Sequence, residues 1–254
     1  MKERTFTIIE NIPIAKDTFR MDLRCADPSF FDEVRPGQFL HIRTPNAALS
    51  LRRPISVCDA RDGVLTIAYA VKGEGTKALA VAKTGTELAA TGPIGRGFPV
   101  EGVQKARLLG GGIGVAPLLF LARKLKESGA KVTAYLGFRS AEYAILAEDF
   151  AALGCEVRLY SDDGTLGEKG FAVNGLLSQE DGSTVFACGP KPMFKALQSA
   201  LPSATPAYAS LEERMGCGVG ACLGCAVGIR EGDAIANRRV CVDGPVFPLQ
   251  EVVL

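Results

Sequence analysis

The stretch Ala106-Arg107-Leu108-Leu109-Gly110-Gly111-Gly112-Ile113-Gly114-Val115-Ala116-Pro117 decides how the rest of this chain is read. Residues 106–109 are a short apolar run. Glycines break it, and a helical pattern resumes from Val115 to about Ser128. That is a strand, a tight turn and a helix start. The turn does not fit G-x-G-x-x-G; it runs Gly-x-Gly-x-x-Pro from Gly112 to Pro117. Small residues at a helix start let a pyrophosphate approach the backbone. Pro117 lacks an N–H that would be unpaired there anyway. A purely structural turn is the rival reading, but four glycines in five positions exceed what a turn needs. Gly111, Gly112, Gly114 and Pro117 are therefore candidate nucleotide contacts.

The same alternation continues downstream. Strands are expected at 132–138, 157–160 and 184–188, with helical stretches at 141–153, 171–177 and 191–201. Such alternation implies a parallel sheet with helices on both faces. Upstream the pattern changes to short β-branched runs at 5–9, 18–23, 39–43, 54–59, 64–70 and 86–90. Turn signals separate them, among them Asn11-Ile12-Pro13, Pro36-Gly37 and Asp62-Gly63. One helix, 76–82, interrupts an otherwise all-β half, and a small barrel or sandwich is expected. A last strand is read at 207–211. Three units follow: 1–98, 103–205 and 206–254.

Composition excludes some functions. A net charge of +1 over 254 residues gives no electrostatic reason to expect nucleic acid or an anionic membrane as partner. No apolar stretch is long enough for a membrane span, and the first residues lack a signal-peptide core, so a soluble, cytoplasmic protein is expected. His41 is the single histidine, which leaves little for a His base, a Ser-His-Asp triad or a His-rich zinc site. It lies in an alternating strand, where a structural role is expected.

Of eight cysteines, four fall as Cys217-x4-Cys222-x2-Cys225-x15-Cys241, in a tract too poor in apolar side chains to hold itself together. This is the plant-ferredoxin ligand pattern for a [2Fe–2S] cluster. The glycines among them let N–H groups approach sulfur. Structural zinc is the rival, but zinc ribbons use two Cys-x2–4-Cys pairs, which fits poorly.

Arg53-Pro54-Ile55-Ser56 opens a predicted strand. An Arg and a Ser three apart can serve one flavin, guanidinium to phosphate and hydroxyl to ring. Gly73-Glu74-Gly75-Thr76 precedes the 76–82 helix and offers N–H groups to a pyrophosphate, hence FAD rather than FMN. A turn capped by Thr76 is the alternative. Cys188-Gly189-Pro190 closes a parallel strand, at the edge where ligands bind. Cys188 borders a reacting ring or is a core thiol. After the 157–160 strand, Asp163 stands where a carboxylate would accept from a free ribose hydroxyl and repel a 2′-phosphate, favouring NADH over NADPH.

In this order Arg53-x-x-Ser56, the 110–117 loop and Cys188-Gly189-Pro190 resemble the ferredoxin–NADP reductase superfamily. With the cysteine tract, the whole length resembles the electron-transfer subunits of B-type, NAD-dependent dihydroorotate dehydrogenases. The resemblance implies a multi-domain β plus α/β fold: a FAD-binding β-barrel, a parallel-sheet NAD-binding domain and a small C-terminal iron–sulfur domain. It implies FAD contacts at Arg53, Pro54, Ile55 and Ser56, on the strand at Ala68, Tyr69 and Ala70, and at Gly75 and Thr76. Ile55 stands where the superfamily often has an aromatic, and Ala70 where relatives often have a basic side chain. The implied partner is an FMN-containing catalytic subunit, two of each in a heterotetramer, coupling pyrimidine synthesis to NAD⁺ reduction. Hydride transfer to a flavin needs no protein acid or base, so no catalytic residue is assigned. Met215 and Leu223 are candidate apolar contacts for that partner, or packing under the cluster. The alternatives are a sibling subunit serving a ferredoxin or sulfide acceptor, and a non-enzymatic redox sensor.

Overall fold

The computed structural model describes residues 2–178 and 182–254. The first half contains β1 (Glu3–Ala15), β2 (Thr18–Cys25), α1 (Phe30–Glu33), β3 (Phe39–Ile42), β4 (Arg53–Arg61), β5 (Val64–Ala70), α2 (Glu74–Ala80) and β6 (Glu87–Ile94). The strands close into an antiparallel barrel in the order β1-β2-β5-β4-β3-β6. Alternation fills it: Phe6 and Ile8, Met21 and Leu23, Leu40 and Ile42, Leu65 and Ile67 all point inward.

Two expectations for this half are corrected. Asn11-Ile12-Pro13 is not a turn; β1 runs through it, with register shifts at Ile8/Glu10 and Pro13/Ala15. Bulges let a strand bend and carry a proline without losing its partner. Asn11 is used there, its Nδ2 donating to the carbonyls of Leu79 (2.9 Å) and Ala82 (3.0 Å) at the end of α2. The predicted helix is also not alone, since α1 adds one turn that buries Phe30.

The second half contains β7 (Lys105–Gly111), α3 (Ala116–Glu127), β8 (Lys131–Phe138), α4 (Ala147–Ala152), β9 (Glu156–Ser161), β10 (Glu168–Lys169), α5 (Ala172–Leu177), β11 (Thr184–Cys188), α6 (Lys191–Ala200) and β12 (Ala207–Ser210). Neighbouring residues face opposite layers. Leu108 and Phe186 join the core beneath α3 and α4, while Leu109 and Ala187 join the core beneath α5 and α6. Helices thus cover both faces. The helix expected over 141–153 is broken, because Leu146 takes a left-handed φ of 61° before α4 begins.

The remaining strands are β13 (Ala226–Glu231), β14 (Ala234–Arg239) and β15 (Val246–Pro248). β12 runs parallel to β11 and β15 antiparallel to β12, giving the order β10-β9-β8-β7-β11-β12-β15. Residues beyond 206 therefore extend the sheet as well as forming the β13–β14 hairpin. Barrel and sheet meet where α3 packs on β4, tied by Arg123, whose Nε donates to Asp59 Oδ1 at 2.8 Å. Among the described residues no helix is long and apolar enough to cross a membrane.

Candidate functional site

A cleft of about 220 Å³ opens between the barrel, the start of α3 and the C-terminal region. Its barrel wall is Arg53, Pro54, Ile55 and Ser56 of β4, Ala68, Tyr69 and Ala70 of β5, and Thr76 of α2. Phe39 and Lys72 complete that wall. Register explains part of the grouping: β3 pairs Phe39 with Ser56 and His41 with Pro54, so Phe39, Pro54 and Ser56 share one side of adjacent strands. Arg53 lies directly on Gly75, where a Cβ would come 2.1 Å from Nε. Only glycine lets the guanidinium sit on the first turn of α2. With Lys72 it makes a cationic part of the cleft wall, which fits a flavin carrying phosphate. The Thr76 hydroxyl is engaged locally, accepting from the N–H of Lys72 (2.9 Å) and Gly73 (3.2 Å). That is the capped turn weighed above, and Arg53 and Lys72 stand beside it as cationic groups for an anion.

The 110–117 loop contributes Ile113, Ala116 and Pro117 to the same cleft. Gly111, Gly112 and Gly114 lie behind it. β7 and β11 pair Gly110 with Cys188, bringing the two loops into backbone contact. A Cβ on Gly114 would lie 2.4 Å from the Cys188 carbonyl oxygen, and one on Gly111 2.8 Å from Pro190 Cδ. Packing alone thus requires most of these glycines, which corrects the expectation that they exceed structural need. Gly112, at φ 55°, faces open space. Cys188 is buried, and desolvation raises its thiol pKa far above the usual range. It does not line the cleft. Gly189 and Pro190 border a separate depression with Lys191, Glu213 and the C-terminal Leu254. Asp163 lies away from both, its Oδ1 accepting from the N–H (2.9 Å) and hydroxyl (2.7 Å) of Thr165.

Among the described residues no three His, Cys, Asp or Glu side chains form a cage for one metal ion. The four C-terminal thiols sort instead into two pairs. Cys225 and Cys241 are buried with their Sγ atoms 3.4 Å apart. The β13–β14 hairpin causes this, since Ala226 pairs with Arg239 and the two cysteines flank that closing pair. Cys217 lies within hydrogen-bond reach of Cys222. Its Sγ accepts from the N–H of Val219 and Cys222, each at 3.4 Å, and these donors hold the thiol down to about 6. Burial, then Cys225, push Cys241 the other way. Two pairs of thiols suit two irons better than one tetrahedral zinc. Of the two candidate docking side chains, Met215 lines the cleft while Leu223 is 62% exposed.

Motif reading missed Lys72, the run Ser210-Leu211-Glu212-Glu213, Met215, Val240 and Pro245 in the cleft. One signal was available. β12 is parallel to β11, so its carboxyl end belongs to the edge where ligands bind.

A closed barrel, a parallel sheet with a glycine loop at its carboxyl edge and a four-cysteine centre define an NAD(P)H-dependent flavin and iron–sulfur oxidoreductase. Residues 212–253 match the family model of the iron–sulfur cluster binding domain of dihydroorotate dehydrogenase B. The dihydroorotate dehydrogenase B (NAD(+)) electron transfer subunit of Shouchella clausii (strain KSM-K16) is 42% identical, over 100% of this chain and 99% of that one. That of Enterococcus faecalis (strain ATCC 47077 / OG1RF) is 40% identical over the same shares. The chain belongs to this family of electron-transfer subunits. The NADH-dependent reduced ferredoxin-NADP oxidoreductase structure superposes with a TM-score of 0.86 at 31% identity, covering 98% of this chain and 89% of its own. Phthalate dioxygenase reductase shares the fold, with a TM-score of 0.68 at 19% identity over 90% and 87% of the two chains.

Proposed function

We propose that this chain carries electrons between NAD(H) and the FMN of a dihydroorotate dehydrogenase catalytic subunit, two of each assembling in the cytoplasm for pyrimidine synthesis. Residues 1–98 hold FAD, 103–205 hold NAD(H) and 206–254 hold the cluster. A flavin exchanges a hydride with NAD(H) and single electrons with a one-electron centre, so FAD and [2Fe–2S] together convert one currency to the other. The chain's own residues bind and orient. Arg53 and Lys72 meet the flavin phosphates, Ser56 meets the ring, and residues of β5 flank it. Gly111, Gly112, Gly114 and Pro117, with Gly189 and Pro190, receive the nicotinamide cofactor. Asp163 favours a free ribose hydroxyl. Cys217, Cys222, Cys225 and Cys241 ligate the cluster.

One observation carries this reading: Phe39, Met215 and Val240 line the flavin cleft and also pack in the core that contains Cys225 and Cys241. The two centres share a wall. Removing hydrogen from dihydroorotate needs a base beside a substrate-stacked flavin, and the flavin of this cleft is assigned to react with nicotinamide. The isolated chain should therefore reduce artificial acceptors with NADH and oxidise dihydroorotate only with the catalytic subunit present. Dihydroorotate turnover by this chain alone would overturn the proposal. The likeness to the ferredoxin-linked oxidoreductase favours a second reading, a ferredoxin acceptor. Efficient ferredoxin reduction without coupling to the dehydrogenase subunit would support that instead.

A further inference from the structure

The flavin strand and the nucleotide loop belong to different halves of the chain, so their spacing is set by what joins β4 to α3. Strand β4 is irregular at that junction. It pairs Val57 with Ile67 but Asp59 with Thr66, which leaves Cys58 as an extra residue. Ile55, Val57 and Ala60 pack in the barrel core, while Cys58 is buried in the core beneath α3. In a regular strand Asp59 would follow Val57 into the barrel. The bulge turns it out toward α3 instead.

There both carboxylate oxygens of Asp59 accept from Arg123. Its Nε donates to Oδ1 at 2.8 Å, and a terminal guanidinium nitrogen donates to Oδ2. The two side chains are only 13% and 14% exposed. A fork of this kind fixes direction as well as distance. The neighbouring arginines are engaged elsewhere, Arg20 with Asp22 and Arg61 with Asp62. Beside the pair lies a cavity of about 240 Å³, lined also by Arg20, Thr66, Leu119 and Asp149. Close packing is absent there, and the pair spans the edge of the gap. Lys16 and Glu142 also link the two halves, but both are half-exposed, where an ion pair holds little.

The pair sits close to the chemistry on both sides. Asp59 is three residues beyond Ser56, about 10 Å along the strand. Arg123 is six residues beyond Pro117, about 9 Å along the helix. Ser56 and Pro117 both line the cleft. We propose that Asp59 and Arg123 are positioning residues for hydride exchange, setting α3 and its nucleotide loop against the flavin strand. This rests on the cofactor assignment above. The pair touches neither cofactor site, so it governs the rate of exchange rather than the affinity for NAD(H).

The test uses the full-length chain with its cofactors, as wild type, Asp59→Asn, Arg123→Gln and Arg123→Lys. Anaerobic stopped-flow mixing with NADH reads the limiting rate of flavin reduction and the NADH concentration that half-saturates it. Titration with tetrahydro-NAD, which has no hydride to give, reads affinity and, through its charge-transfer absorbance, the stacking of nicotinamide on flavin. Asp59→Asn and Arg123→Gln should each lower the limiting rate about tenfold or more, a misplacement of ~1 Å being enough. Both should weaken the charge-transfer band while half-saturation and analogue affinity stay near wild type. Arg123→Lys, which keeps the charge but not the fork, should recover part of the rate and of the band. An unchanged limiting rate in either variant, or a slower rate with the band intact, would overturn the proposal. Should Asp59→Asn lose flavin, Arg123→Gln, which leaves the flavin strand untouched, decides by the same readings, and flavin lost there too overturns it. A wild type whose flavin NADH does not reduce would instead refute the cofactor assignment.

Discussion

Two glycine-rich loops do opposite things with the same residue. In the 110–114 loop the protein itself occupies the space a side chain would need. A Cβ on Gly110 would lie 2.7 Å from Val115 Cγ2, one on Gly111 would meet Pro190, and one on Gly114 the Cys188 carbonyl. Two paired parallel strands and α3 fix this loop before any ligand arrives. In the 216–224 loop, Cys222 Sγ is the nearest atom to a Cβ at both Gly216 (3.4 Å) and Gly224 (3.6 Å). No backbone packs there. Gly218 and Gly220 rest on His41 and Val242. The first loop is preformed by its packing. The second is shaped around its thiols, and a metal centre supplies what its few apolar contacts do not.

The comparison is broken most severely at the cluster. Cys225→Ser should abolish iron binding and expose the 216–224 loop to limited proteolysis, while NADH still reduces the flavin. Iron and sulfide analysis with a protease time course reads both. Persistence of a folded loop without metal would erase the contrast. Next comes Gly114→Ala, which drives a methyl group into the Cys188 carbonyl. Overpacking of this kind costs about 3 kcal/mol, which calorimetry would show as a fall of several degrees in the melting temperature. Arg53→Ala should weaken flavin retention by about 1.5–3 kcal/mol, the value of a charge-assisted bond to phosphate. Fluorescence titration of released flavin measures it, and the melting temperature of the flavin-free protein should not move. The smallest effect is expected at Gly112→Ala, about 1 kcal/mol for a left-handed φ with open space around it. A larger loss than at Gly114 would mean that packing does not govern this loop.

Local chemistry was legible in the sequence where a segment carried its own punctuation. β5 and β11 begin and end where expected, at Val64–Ala70 and Thr184–Cys188, because Asp62-Gly63 and Gly189-Pro190 bound them. Most of the barrel-side cleft residues fall on β4 and β5. What escaped depends on distant partners. Asn11-Ile12-Pro13 reads as a turn until bulges and the end of α2 hold it in a strand. The β13–β14 hairpin buries only Ile229, and Val227 and Ile229 are too short an alternating run to announce a strand. Glu212, Met215 and Val240 reach the cleft only because β12 and β15 fold the C-terminal region back onto the sheet edge. Leu146 breaks a helix through its backbone conformation, which no residue type there announces.

In the proposed function the flavin cleft and the four-cysteine centre, through their shared wall, form one electron path within this chain. Anaerobic addition of NADH to the purified protein tests it most directly, with flavin absorbance and the electron paramagnetic resonance of the reduced cluster followed together. Flavin bleaching accompanied by a [2Fe–2S] signal in the wild type, with bleaching alone in Cys225→Ser, is the predicted result. Full flavin bleaching with no cluster signal in a wild type that holds iron and sulfide, or zinc in place of iron, would contradict it.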